Sequence, residues 1–381
     1  MRVVVIGAGA FGGWIALEAM RAGAEVELVD AWGPGNARSS SGGESRVLRA
    51  VYGPDRIYTE WVRRSLDGWR ALESETGASL YRETGCLWLI ESDDAYVRSS
   101  LAALEAFDFR IDPVDLDEAR HRWPMVSFEG VRSTWFERTA GSLSAREACR
   151  VVRDRFVALG GRYVHGRVRP TEPAAGQLQR VVLEDGTTLE ADRFVFACGP
   201  WLGTLFPGIV GDAIRPSRQE IFYFGTPPGD DAYRPERMPA WIELADPIVY
   251  GLPDVHGRGV KVADDTRGEG FDPDRGERRP SSEGIARARR TLARRFPGLR
   301  DAPLLESRVC QYENSPDGQL ILDRHPDAHN VWLVGGGSGH GFKLSPALGA
   351  YASRALLHDV VPDPRWSLAR LASAPTKTQF E

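Results

Sequence analysis

Residues 2–30 read RVVVIGAGAFGGWIALEAMRAGAEVELVD, and they decide the fold. The short β-branched run at residues 2–6 is the pattern of a strand buried on both faces. Gly7, Gly9 and Gly12 follow as G-x-G-x-x-G, a helix runs to about Arg21, and Gly23 stops it. A second strand, Glu25 to Val29, ends at Asp30. In such a βαβ unit the glycines serve a tight turn, close backbone approach to a pyrophosphate, and close packing of helix on strand. The helix N-terminus then faces the phosphates, and an acid about 20 residues further on accepts from a ribose hydroxyl. The pattern predicts a dinucleotide site. By itself it does not separate FAD from NAD, but its place at the head of a long chain, with no second copy, favours a tightly held FAD.

With 381 residues the chain is too long for one ordinary core, and two domains are expected. A composition 42% hydrophobic and 27% charged is that of a globular protein, and a net charge of −5 disfavours nucleic acid or an anionic membrane as partner. No apolar run is long enough to span a bilayer, and a first strand at Arg2 leaves no room for a leader. Cys86, Cys149, Cys198 and Cys310 are too widely spaced for a zinc motif or a disulfide framework. A cytoplasmic protein without a metal is expected. Of 48 basic residues only Lys261, Lys343 and Lys377 are lysines. A lysine kept against that bias can serve where a compact, tunable ammonium is needed, although codon bias accounts for Lys377 in the tail.

Further along, NARSSSGGESRVLRAVYG (36–53) is a polar loop leading to Arg46 and Arg49, three apart and on one face if helical. Such a pair holds a phosphate or a carboxylate, or simply forms a solvated face. YRETGCLWLI (81–90) reads as two strands about Gly85, 95–107 as an amphipathic helix, and SLSAREACRVVRDRFVALGG as a helix with a serine cap and a Gly-Gly stop. DRFVFACGPW (192–201) is a buried strand ending in small residues. Residues 216–262 alternate like an antiparallel sheet, with VYGLPDVHGRGVKVADD as a hairpin. In SSEGIARARRTLARRF (281–296), Ile285, Ala288, Leu292 and Phe296 mark the buried stripe, which leaves five arginines for the wet face. The last segment runs strand, Pro-Asp-Gly turn, strand, strand, the glycine loop GGGSGHGFKLS (335–345), helix. Cys310, just before that turn, reads alone as an inert core thiol.

Taken together, the blocks GAGAFG, SRVLRAVYG, YGLPDVHGRGVK, CQYENSPDGQLILD and GGGSGHGFKLSP, in this order, resemble the D-amino-acid oxidase superfamily of FAD-dependent oxidoreductases, and within it the monomeric sarcosine oxidase and N-methyltryptophan oxidase branch. The resemblance implies an α/β (α+β) fold, a Rossmann-like FAD-binding domain with an inserted mixed or antiparallel-sheet substrate domain. The expected division is 1–80, 145–215 and 305–381 for FAD, and 81–144 and 216–304 for substrate. It implies that Gly7, Gly9, Phe11, Gly12, Asp30, Ser40, Val168, Gly199, Trp201, Gly337, Gly339, His340, Gly341 and Lys343 surround FAD, with Cys310 bonded to the flavin 8α-methyl. Arg49 and Lys343 match the cations on the substrate carboxylate, Arg46 an arginine close to the flavin, Lys261 the lysine that activates dioxygen, and Tyr250 an aromatic pocket wall. His340 is expected to hold its loop or to hydrogen-bond the flavin. Two positions depart from the pattern: Gly42 and Asp265 stand where sarcosine-type members carry histidine, which argues against sarcosine itself and for a larger or cyclic substrate.

The function so implied is oxidation of an amino acid, N-substituted or cyclic, to an imine that hydrolyses, with dioxygen reduced to hydrogen peroxide by a monomeric enzyme. Three alternatives are compatible with the sequence. A dehydrogenase of the same fold would pass electrons to a quinone or carrier, an NAD-linked dehydrogenase would be colourless, and a non-catalytic flavoprotein would not be bleached by any amino acid.

Overall fold

The computed structural model describes residues 1–376 apart from 171, 172, 212 and 267; Lys377 lies outside them. The opening strand Arg2–Ile6 lies inside a six-stranded sheet. From one edge the order is Ile321–His325, Ala328–Gly335, Arg193–Phe196, Arg2–Ile6, Glu25–Asp30, Arg162–His165. All neighbours are parallel except the first pair, which is a hairpin. Burial on both faces explains the apolar runs of the three adjoining inner strands, Val3–Ile6, Phe194–Phe196 and Val331–Val334. Helix Ala10–Arg21 crosses helix Ser345–His358 so closely that a Cβ on Gly349 would lie 2.8 Å from the Trp14 Cβ. The first and last glycine loops of the chain therefore sit against one another.

The second sheet has eight strands in the order Leu304–Asn314, Arg215–Phe224, Val260–Asp264, Val249–Leu252, Ala240–Leu244, Cys86–Ile90, Ser133–Glu137, Ile111–Val114. Pairing is antiparallel except between Ala240–Leu244 and Cys86–Ile90, so the sheet is mixed. Helix Ser282–Arg295 covers one face through Ala288 and Leu292, joined by Phe296, against Trp241 and Val262. A three-stranded sheet of Ser45–Leu48, Gly141–Ser144 and Tyr81–Glu83 and an antiparallel pair, Arg180–Val182 with Thr188–Glu190, complete the strands of the described residues.

Several local expectations change in three dimensions. Residues 45–48 form a strand, not a helix, because Ser45 to Leu48 pair with Gly141–Ser144. The two strands about Gly85 enter different sheets. Strand Leu304–Asn314, on the cofactor side of the expected boundary, pairs along Arg215–Phe224 in the eight-stranded sheet. Ser144 stands at the N-cap of helix Ala145–Ala158 without making a capping bond; its hydroxyl meets His256 Nε2 at 3.2 Å. Arg295 is not on the wet face of its helix. It is fully buried, 2.9 and 3.0 Å from the two carboxylate oxygens of buried Glu243, and it also donates to the Ser127 and Glu129 carbonyls. Burial of a guanidinium is tolerable only with this many acceptors.

Candidate active site

The glycine turn forms as its spacing predicts. Gly7 has φ +105°, and a Cβ there would sit 2.3 Å from the Ala197 carbonyl oxygen. At Gly12 the clash would be with the Gly7 carbonyl oxygen at 1.8 Å, so helix and strand meet only because both side chains are missing. Gly9, by contrast, faces a cavity. Asp30 closes the turn: Oδ2 accepts from the Ala8 N–H at 2.7 Å, and Oδ1 accepts from the Trp32 and Gly33 N–H groups. Ser41 Oγ accepts from the Ala10 N–H at 2.9 Å, a bond no sequence pattern announced.

The cavity beside this turn spans about 1490 Å³ of atom-free space, part of it open to solvent. Gly7, Gly9, Phe11, Asp30, Ser40, Val168, Gly199, Trp201, Gly337, Gly339 and Gly341 all line it. Gly12 packs behind the turn. Trp201 is fixed by an indole N–H donated to Asp274 at 3.1 Å. Two buried polar atoms in the lining, Ser40 Oγ and Glu313 Oε2, have no partner within the protein. A glycine cradle with orphaned polar oxygens suits a long polar cofactor. Burial, opposed by the Gly337 N–H, raises the Glu313 pKa to about 7.

A second cavity of about 500 Å³ adjoins the first, and Arg46, Tyr312, Gly339 and Phe342 belong to both. Its remaining lining is Val47, Arg49, Ile242, Ile248, Tyr250, Asp265, His340 and Lys343. Residues almost 300 positions apart in sequence thus share one small space. Arg46 donates to the Ser40, Gly42 and Ser45 carbonyls and so ties down the polar loop that precedes it. Arg49 is buried, with its guanidinium 4.8 Å from the Tyr52 ring centre and 5.6 Å from Trp88. Lys343 is buried as well; its ammonium donates to the His340 carbonyl at 3.1 Å and lies 5.0 Å from the same Tyr52 ring. Burial and then the charge of Arg49 drive the Lys343 pKa far below its ordinary value, partly offset by Asp265 and Glu137. A buried guanidinium and a buried amine over one tyrosine ring favour an anion between them, which would return the proton to Lys343.

His340 contacts Tyr52 Oη through Nδ1 at 3.1 Å and the Gly318 carbonyl through Nε2 at 2.9 Å. Burial and Lys343 lower its pKa to about 3, so the ring is neutral. A carbonyl only accepts, so the proton is on Nε2 and Nδ1 accepts from the tyrosine. Both nitrogens are engaged, and the ring holds its loop. Tyr312, missed in the sequence, donates to Asp265 Oδ1 at 2.8 Å.

Lys261 and Cys310 stand behind this lining. Lys261 is buried on strand Val260–Asp264; it donates to the Ser45 carbonyl at 3.2 Å and lies 5.2 Å from the Tyr250 ring centre. Burial and then Arg46 lower its pKa to about 7. Cys310 is a free, buried thiol packed with Ile221, Tyr223 and Ala263, against Tyr250. Among the described residues there is no group of side chains suited to a metal, and no helix long and apolar enough to cross a membrane.

A dinucleotide turn beside one cavity, with Arg49 and Lys343 in a second that shares its wall, is the arrangement of a cofactor-dependent enzyme. A family model described as "FAD dependent oxidoreductase" (DAO) matches residues 2–355, and the chain belongs to that family. FAD is accordingly its cofactor. Among similar proteins, a monomeric sarcosine oxidase of Bacillus sp. (strain B-0618) is 29% identical over 370 residues, 94% of either chain. An N-methyl-L-tryptophan oxidase of Yersinia pestis (strain Pestoides F) is 27% identical over 379 residues, covering 97% of this chain and 98% of that one. In three dimensions, the L-proline dehydrogenase of P. horikoshii superposes with a TM-score of 0.85 at 19% identity over 99% of both chains, a likeness of fold.

Proposed function

We propose that the protein oxidises the C–N bond of an amino acid, N-substituted or cyclic, to an imine that water hydrolyses, with dioxygen as electron acceptor and hydrogen peroxide as product. The observation that carries this reading is the pairing of Arg49 and Lys343 in a small cavity that opens onto the cofactor cavity. Arg49 stays charged in any protein, and a bound carboxylate restores the charge that burial takes from Lys343. The α-carboxylate is held there. Ile242, Ile248 and Tyr250 form the apolar part of the same wall and receive the side chain or N-substituent. The positive field of Arg46, Arg49 and Lys343 disfavours an ammonium and so promotes the neutral amine. Bound FAD supplies the two-electron oxidation.

The remaining assignments follow the same division. The first cavity holds FAD through Gly7, Gly9, Phe11, Gly12, Asp30, Ser40, Val168, Gly199 and Trp201 at one end. Gly337, Gly339, Gly341 and the loop held by His340 serve the other. Lys261, behind Tyr250, is the cation for dioxygen, and Cys310 is the site of covalent attachment. The six-stranded sheet carries the cofactor and the eight-stranded sheet the substrate wall. The names of the sarcosine and N-methyltryptophan oxidases support a secondary amino acid as substrate.

A peroxide assay over a panel of N-methyl and cyclic amino acids tests the reaction. Turnover that requires an added quinone and releases no peroxide sinks the oxidase assignment. Acid precipitation tests the attachment: the yellow colour goes with the protein pellet, and colour left entirely in the supernatant excludes a covalent link.

A further inference from the structure

The FAD cavity is bordered by a buried carboxyl that neither the dinucleotide turn nor the amine chemistry uses. Glu313, on strand Leu304–Asn314, is buried. Its Oε1 accepts from the Gly337 N–H at 3.2 Å, while Oε2 has no partner. The carboxyl is tightly placed. A Cβ on Gly199 would stand 3.2 Å from Oε2, and one on Gly337 would stand 3.0 Å from Oε1. All three residues line the cavity. A buried carboxyl oxygen without a partner is costly and rare, and this one borders the space that the cofactor fills.

Its position along that space is defined by its neighbours. On one side Gly199 lies two residues beyond Ala197, whose carbonyl packs on Gly7 of the dinucleotide turn. On the other, Tyr312 packs on Gly339 at the wall shared with the second cavity. FAD is linear: adenosine, pyrophosphate, ribityl chain, ring. With the pyrophosphate at the glycine turn and the ring at the shared wall, the ribityl chain spans the interval that Glu313 borders. We propose that Glu313 binds the ribityl chain of FAD, with Oε2 sharing a hydrogen bond with one of its hydroxyls. A hydroxyl donates to a carboxylate and accepts from a carboxylic acid, so it satisfies Oε2 in either state. A phosphate oxygen, which only accepts, and an apolar ring edge do not.

The proposal rests on FAD binding alone and is tested without any amine. In a Cys310→Ser background, which removes any covalent link, FAD release on dilution is followed by flavin fluorescence, and ADP affinity by competition with FAD. ADP carries the adenosine and pyrophosphate but no ribityl chain. Glu313→Leu is expected to weaken FAD about tenfold and ADP by less than about twofold. Glu313→Gln, which keeps an acceptor and a donor, is expected to hold FAD within about threefold of the parent. Equal weakening of FAD and ADP would make Glu313 a brace for the glycines and overturn the proposal, as would unchanged FAD affinity. If the leucine variant does not fold, Glu313→Asp keeps the carboxyl group and withdraws the oxygen. An unchanged ratio of FAD to ADP affinity in that variant also overturns it.

Discussion

Replacing Lys261 by methionine should stabilise the apoprotein while impairing the enzyme. The lysine is buried on its strand with a single hydrogen bond, to the Ser45 carbonyl, and Arg46 close by. Burial and Arg46 bring its pKa from 10.5 to about 7. At about 1.4 kcal/mol per decade, the folded state carries about 5 kcal/mol of cost for the charged amine. The sign follows from proton counting. Below pH 7 folded and unfolded chains both hold the proton, and the whole cost applies. Between pH 7 and 10.5 the unfolded chain binds more protons, so stability rises with pH. Linkage gives about 5 kcal/mol of cost at pH 6 and about 2 at pH 9. Methionine fills similar volume without a charge. Urea denaturation of apoprotein should therefore show Lys261→Met more stable than its parent, by a margin about 3 kcal/mol larger at pH 6 than at pH 9. A margin independent of pH, or a variant less stable at pH 6, refutes the claim that this ammonium is desolvated. The role proposed for Lys261 toward dioxygen predicts that the same variant reoxidises at least about tenfold more slowly in the holoenzyme. Reduction by substrate should change less.

Lys343→Met should raise KM for an amino-acid substrate about tenfold or more and leave a carboxyl-free amine little affected, as steady-state kinetics on the pair will show. Gly12→Ala places a Cβ 1.8 Å from the Gly7 carbonyl oxygen. It should cost about 3 kcal/mol or more and yield protein with little bound flavin, read from thermal melts and absorbance. His340 has a folded pKa of about 3 against an ordinary 6.5, so the unfolded chain takes up the proton first and stability falls as pH drops below 6.5. His340→Gln should remove about 2 kcal/mol of the stability change between pH 7.5 and pH 5, measured by urea midpoints.

The dinucleotide turn was legible because its constraints are local: Gly7 and Gly12 are required by atoms within a few residues or on the adjoining strand. The arginines at 46 and 49 were legible as a pair, but not their support. That segment is a strand because residues 141–144, almost a hundred positions away, pair with it. Arg295 looked like part of a wet face because its partner, Glu243, is 52 residues away and itself buried. Glu313 gave no signal at all. One glutamate between Tyr312 and Asn314 looks like any polar strand residue, and only the packing of Gly199 and Gly337 around it reveals an orphaned oxygen.

The proposed reaction depends most on the second cavity holding a substrate carboxylate beside FAD. Anaerobic titration of the holoenzyme with a secondary or cyclic amino acid, and with its methyl ester, tests this directly. The acid should bleach the flavin at far lower concentration than the ester, and air should then restore the colour with release of hydrogen peroxide. Bleaching by acid and ester at equal concentration, or no bleaching by any amino acid in the panel, would contradict it.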